Sequence, residues 1–495
     1  MIDISNLIVL PMALPLIIGI IQIFFKNQIK TQRTMSILGV LTTIGIAVFL
    51  LERIQTEGIM RLDFGGWEPP FGILFVADSF SVILVLDASV VTVICLIYAF
   101  SSVGEKMEKM YFYAFINFLL AGVNGSFLTG DIFNLYVNFE IMLLASYVLV
   151  ALGGSKKQLR ESIKYVVINV LSSWFFLVAV AYLYGQLGTL NMAHLSQLIS
   201  ESGQTPTLTV VSLVFLIVFA LKSGLLLYFW LPGSYSAPPI VVAALFGGLL
   251  TKVGIYAMFR VFTLIFYHEP GITHTIIGIM AGLTLIAGSI GAIAYKDIRQ
   301  IVSYNVVIAV GFILVGLAVM TQEGFEGSIF YLMHDMIAKS LLFLLAGTMI
   351  TVTGKKRIDE ISGLIRNYPV FGWIFFIVML SLAGVPPLSG FIGKVLVGHG
   401  TIETGSYVLL ALAFISSIFV LYSLLRIFLN SFWGETIIST DEEVPMRKGW
   451  MVSFSLFTIL MFILGFGVEL FIPYVADAAN TLMNPQIYID AVMND

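Results

Sequence analysis

A chain of 495 residues with 59% hydrophobic and only 11% charged residues is not a soluble globular protein, which would carry about a quarter charged residues. The formal net charge of −4 says little by itself, because in such a chain the placement of Lys and Arg is what matters. Cys95 is the only cysteine, which excludes an intrachain disulfide framework and a cysteine-ligated metal or cluster.

The apolar residues arrive in runs of membrane-spanning length, about 20 residues each. They predict an all-α polytopic protein embedded in a lipid bilayer. About fourteen spans follow from hydropathy, at 5–25, 34–52, 73–101, 110–128, 131–152, 162–187, 208–231, 239–266, 272–294, 300–320, 325–352, 370–402, 405–430 and 450–474. The N-terminal run has no basic leader and no small-residue cleavage site, so it reads as a retained first helix. The tail after 474 reads as a surface strand or a loose end.

Counted alternately across the spans, 17 Lys and Arg residues fall on one side and only Arg53 and Arg61 on the other. That bias places the first side in the cytoplasm and both termini on the outer face. Arg260 and Arg426 lie near span ends, where they read as snorkelling side chains. Lys222, Lys252, Lys339 and Lys394 lie deeper, as do the acids Glu140 and Asp87. Charges at the bilayer centre cost about 2.5–3.5 kcal/mol each on the insertion scale, so they point to function.

Residues 208–239 combine a mid-helix lysine, Lys222, with Gly224 and a Pro/Gly/Ser knot from Pro232 to Pro239. Backbone breaks at membrane depth survive only where protein or water satisfies the freed groups. Five spans later LAGVPPLSGFIGK repeats the pattern, with Lys394 beyond Pro386–Pro387. An odd number of spans per unit predicts two inverted five-helix repeats with broken helices 7 and 12, a pointer to an ion path. The chain then divides into three N-terminal spans (1–108), a first repeat (109–270), a second repeat (271–432), and a last span with a short tail (433–495).

Glu140 and Lys222 are the first candidates for proton transfer. Burial destabilises the charged form of each, and apposition restores it. Breaking such a pair would let Lys222 release a proton, which a permanently charged arginine would not do; a static ion pair tying two helices is the bland alternative. Lys252 follows Gly247–Gly248, which permits close helix approach. His334 and Lys339 lie five residues apart on one helix, about 140° around its axis, and read as bordering a hydrated core, with His334 a possible relay. Lys394 reads as the second repeat's equivalent of Lys222. Asp87 reads as hydrogen-bonded to a neighbouring helix. Asp131 and the start of DIRQIVSYN read as helix N-termini. No P-loop, dinucleotide fingerprint or metal-ligand spacing occurs, so no cofactor or metal is expected and an ion gradient or a partner must drive the protein.

Taken in order, LYVNFEIMLLASY, FALKSGLLLYFWLPGSYSAPP, LLTKVGIYAMFRV, DIRQIVSYNVVIAVGFI, YLMHDMIAKSLLFLLAG and LAGVPPLSGFIGK resemble the antiporter-like subunits of respiratory complex I and of Mrp-type multisubunit cation/proton antiporters. The likeness covers most of the chain and is greatest for the D-type subunits of the Mrp branch. It implies fourteen helices and a proton relay at the midplane, in which Glu140 pairs with Lys222, Lys252 continues the path and Lys394 reaches the other half-channel. It further implies a bacterial inner membrane, other subunits of a hetero-oligomer as partners, Na+ or K+ exchanged for protons, and no nucleic acid. A proton-pumping subunit of complex I or of a membrane hydrogenase is the alternative. Several relatives carry a proline just after the seventh-helix lysine; residues 223–231 have none, which predicts a milder break at Gly224.

Overall fold

The computed structural model describes residues 4–439 and 443–493. Its membrane-length helices are α1 (Leu10–Phe24), α2 (Ile29–Glu57), α3 (Ser79–Ser102), α4 (Phe112–Leu128), α5 (Ile132–Ala151), α6 (Lys156–Leu187), α7 (Pro206–Ser223), α8 (Ile240–Leu264), α9 (Thr273–Ala294), α10 (Ile298–Val319), α11 (Gln322–Thr353), α12 (Pro369–Ala383), α13 (Gly390–Glu403), α14 (Tyr407–Phe432) and α15 (Lys448–Phe466). Twelve of them are long and apolar enough to cross a bilayer unaided. The shorter α4, and α12 continued past a break by α13, occupy the two remaining expected spans. A count of fourteen crossings is compatible with this set.

Capping side chains set many of the boundaries. Asp78 accepts from the Ser81 amide at the start of α3, and Asp131 from the Asn134 amide at the start of α5. Ser155 and Gln158 form a reciprocal capping box on α6. Asp297 accepts from the Arg299 and Gln300 amides at the start of α10. These satisfy amides that the helix itself leaves open.

Helices α3, α8, α10 and α11 are buried almost all round and form the centre, whereas α1, α2, α14 and α15 bury only a minority of their residues. A helix that is apolar on every side suits the first position. The outer helices present apolar stripes, such as Ile163, Val167, Leu171, Trp174, Val178 and Tyr182 on α6, which match lipid or a partner's membrane surface.

Two stretches depart from expectation. The third span starts at Ser79, not 73, because Leu74–Ala77 pairs antiparallel with Met60–Asp63 as a hairpin. The tail after 474 is helical: α16 (Val468–Met483) is followed by a helix at Pro485–Met493. Val475, Ala478, Ala479 and Leu482 give α16 one buried face, the i, i+3, i+4, i+7 spacing of an amphipathic helix.

A shared bonding pattern relates the two halves. Ile132 N–H donates to the Leu190 carbonyl and Met192 N–H to Gly130. Ile298 N–H donates to Lys356, and Ile358 N–H to Lys296, in the same way. Each pair ties the aspartate at a helix start to the loop after the next helix, Asp131 to Asn191 and Asp297 to Arg357. The five helices from α4 to α8 and the five spans from α9 to α14 are thereby compatible with two inverted units.

Candidate functional site

The break after α7 begins two residues past Lys222. Gly224 takes φ +82°, a conformation open to glycine at little cost. The Gly224 and Leu225 amides both return to the Ala220 carbonyl, a helix-terminating arrangement. Residues 224–230 then run without helix before a short helix at Leu231–Ser236. The freed backbone is paired: Leu226 N–H donates to Thr284 Oγ1 at 2.8 Å, and the Trp230 indole donates to the Leu221 carbonyl at 3.0 Å. The break is therefore complete, not mild. It starts two residues after Lys222 and not at the proline knot, because Gly224, followed by Leu226 at φ +58°, turns the chain there.

The second break repeats this chemistry. Gly384 has φ +87°, and the Gly384 and Val385 amides both return to the Leu380 carbonyl. Matched at their glycines, the two breaks set Leu382 opposite Lys222. Lys394 lies ten residues beyond its glycine, on the other arm, so it is not the positional equivalent of Lys222. Its ammonium reaches back to the same place: Nζ donates at 2.9 Å to the carbonyls of Leu382 and Ala383 and to Ser417 Oγ. Two open carbonyls at a helix C-terminus favour a cation there. The Phe312 and Tyr331 rings flank it at 5.8 and 5.7 Å.

Lys222 and Glu140 do not form a direct ion pair. Ser173 of α6 stands between them, taking a 3.3 Å hydrogen bond from Lys222 Nζ and donating to the Glu140 carboxylate. Lys222 is buried against the Phe139 ring, whereas Glu140 is only half-buried at the side of the molecule.

Gly254 lets α8 approach the Lys222–Ser223 backbone so closely that a Cβ there would lie 2.6 Å from Ser223 N. On α8, residues Phe246–Leu250 form a π-helical turn. This widened turn presents the Gly247 carbonyl to Lys252 Nζ at 2.6 Å. The same ammonium meets Asp335 Oδ2 at 2.8 Å, with both side chains fully buried. Lys339 lies 3.7 Å from the other Asp335 oxygen. One carboxylate thus joins two lysines on different helices.

Sequence reasoning does not single out Asp335, although its i, i+4 spacing to Lys339 is a readable signal. His334 points the other way. Its Nδ1 shares a 2.8 Å hydrogen bond with Ser389 Oγ inside the second break, and Nε2 has no hydrogen-bond partner among the described residues. The helix connecting these groups, α11, packs on α13 through Gly327 and Gly393, where a Cβ would strike backbone.

The six predicted residues therefore lie along one run of packed elements. Glu140–Ser173–Lys222 leads to Lys252–Asp335–Lys339, and His334–Ser389 lies on the way to Lys394. Arg260 does not belong to the row and does not snorkel: it donates to Asp78 Oδ2 at 2.6 Å in a buried pair ringed by Phe80, Tyr256 and Tyr488. Arg426 caps the end of α9 through the carbonyls of Ile293 and Tyr295. Among the described residues, no group of three or more His, Cys, Asp or Glu side chains is arranged to hold a metal ion.

The fold defines a class: polytopic helical membrane proteins with two broken helices and ionisable side chains buried in their packed interior. The family model described as "NADH:quinone oxidoreductase/Mrp antiporter, TM" matches residues 129–467, and the chain belongs to that family. It is 48% identical over 492 residues to the D-type subunit of the Na(+)/H(+) antiporter of Bacillus subtilis, covering 99% of this chain and 100% of the relative. It is 45% identical over 493 residues to the like-named protein of Alkalihalophilus pseudofirmus, again covering 99% and 100%. Among solved structures, a chain of the Mrp complex from Dietzia sp. superposes with a TM-score of 0.93 at 28% identity, with 100% of both chains covered. A chain of the archaeal membrane-bound sulfane sulfur reductase superposes at 0.91 with 27% identity, covering 99% and 100%.

Proposed function

We propose that this chain is the proton-translocating subunit of a multisubunit monovalent cation/proton antiporter, exchanging Na+ or K+ for protons. The observation that carries the reading is the row from Glu140 to Lys394, where each ammonium has a nearby acid, hydroxyl or carbonyl. In such a row a proton leaving one lysine is compensated by its neighbour's shift. Lys222 loses its proton when the contact through Ser173 opens. Lys252 and Lys339 share Asp335 and exchange its support. Lys394, held by two carbonyls, ends the row at the second break, and His334 with Ser389 bridges the gap before it.

The close relation to D-type antiporter subunits supports other membrane subunits as partners and a bacterial inner membrane as the location. The 17-to-2 distribution of Lys and Arg supports a cytoplasmic basic face, with both termini outside. The likeness to a respiratory reductase chain keeps a redox-driven pump as the second reading. Co-purification separates the two: flavin and iron–sulfur proteins would mark the pump, small hydrophobic subunits alone the antiporter. Replacing Glu140 or Lys222 by Ala is expected to abolish cation-dependent proton flux in everted membrane vesicles while the complex still assembles. Full flux in either variant would refute the assignment.

A further inference from the structure

Asp87 lies inside α3, eight residues and thus about 12 Å from its first residue, Ser79. It is 5% exposed, and its Oδ2 has no hydrogen-bond partner among the described residues. The expected hydrogen bond to a neighbouring helix is not made. An unpartnered buried carboxylate oxygen costs more than a made hydrogen bond returns, so its position calls for a reason.

That reason is a cavity of about 250 Å³ between α2, α3, α11, α15 and α16, into which Asp87 opens. Its walls are apolar, including Leu86, Val90, Ile337, Leu464 and Phe471; its titratable side chains are Asp87, Glu52 and Tyr474. Glu52 is exposed near the end of α2 that faces away from the basic face. On the inner side, α8 carries Lys252, which is paired with Asp335. The π-helical turn of α8 touches α3 at Val91, one turn beyond Asp87.

We infer that Asp87 is a proton acceptor at the inner end of a second access path, which enters at Glu52 and meets the buried row at Lys252. This rests on the relay reading above. A dehydrated alkali cation needs a shell of oxygen ligands, which two separated carboxylates and one phenol do not supply; a proton needs one oxygen. The volume admits several waters. In the step, a hydronium ion in the cavity gives its proton to Asp87 Oδ2, leaving water and the neutral acid. That acid gives the proton to Lys252 Nζ once this amine has passed its own proton along the row, restoring carboxylate and ammonium.

Two measurements on the assembled complex test this. Asp87→Asn is expected to lower cation-dependent proton flux about 100-fold with assembly of the complex unchanged, and Asp87→Glu to restore most of it. Dicyclohexylcarbodiimide, which reacts with protonated carboxyls in apolar surroundings, is expected to modify Asp87 of the unaltered chain, more at mildly acid than at alkaline pH. Full flux in Asp87→Asn, alongside dead Glu140→Ala and Lys222→Ala variants, would overturn the second path and leave the relay standing. Full flux in those latter variants would remove the relay itself. Should Asp87→Asn fail to assemble, the labelling decides, and an unmodified Asp87 at both pH values overturns the proposal.

Discussion

In the proposed relay, Ser173 is the residue on which the first proton transfer turns. A hydroxyl between Glu140 and Lys222 can donate to one and accept from the other, so it couples the charges without locking them as a direct salt bridge would. Ser173→Ala removes that coupling and is expected to slow antiport by about tenfold, the equivalent of one hydrogen bond of ~1.4 kcal/mol. Ser173→Thr keeps the hydroxyl and should stay near the unaltered rate in the same vesicle assay. Asp78 and Arg260 make the contrasting case, a buried pair away from the row. Arg260→Met alone strands the Asp78 charge and should cost about 3–5 kcal/mol, read as a lower unfolding temperature of the purified complex. Adding Asp78→Asn to it should recover most of that loss, because the stranded charge is gone while the cap on the Ser81 amide is kept.

At the scale of elements, the two breaks do the same work by the same means. Each has a glycine in the left-handed region at its start and a buried lysine beside it: Lys222 lies in the last turn before its break and turns to Ser173, and Lys394 reaches back from beyond its break to the open carbonyls of Leu382 and Ala383. Alanine at either glycine is expected to cost about 1–2 kcal/mol in backbone strain. The positions should then separate in function. At Gly384 an added Cβ would lie 2.7 Å from Lys394 Cδ, pushing the ammonium off Leu382 and Ala383. Gly384→Ala should therefore lose more flux per unit of lost stability than Gly224→Ala, whose new Cβ would meet Leu231 at 3.0 Å. Unfolding temperature and vesicle flux measured on the two variants check this.

At the scale of the whole molecule, the membrane spans were legible because hydropathy acts locally, and the breaks because Gly and Pro mark them. The helix starts at Asp131 and Asp297 were legible for the same reason. The helical tail was readable from the spacing of Val475, Ala478, Ala479 and Leu482, but its brevity and polarity masked it. What sequence could not give was pairing across the fold. Asp78 finds Arg260 across 182 positions, and Asp335 reaches Lys252 on another helix. Ser173 carries no charge to draw attention. Such contacts are set by how α3, α6, α8 and α11 pack, and no spacing within one segment encodes them.

If the row conducts protons as one unit from the first break to the second, blocking either end stops it. Cation-dependent proton flux in vesicles carrying the complex with Lys222→Met, and separately with Lys394→Met, measures this directly. Both variants are expected to assemble and to show no coupled flux. Coupled flux that persists at the unaltered rate in either one would contradict the account.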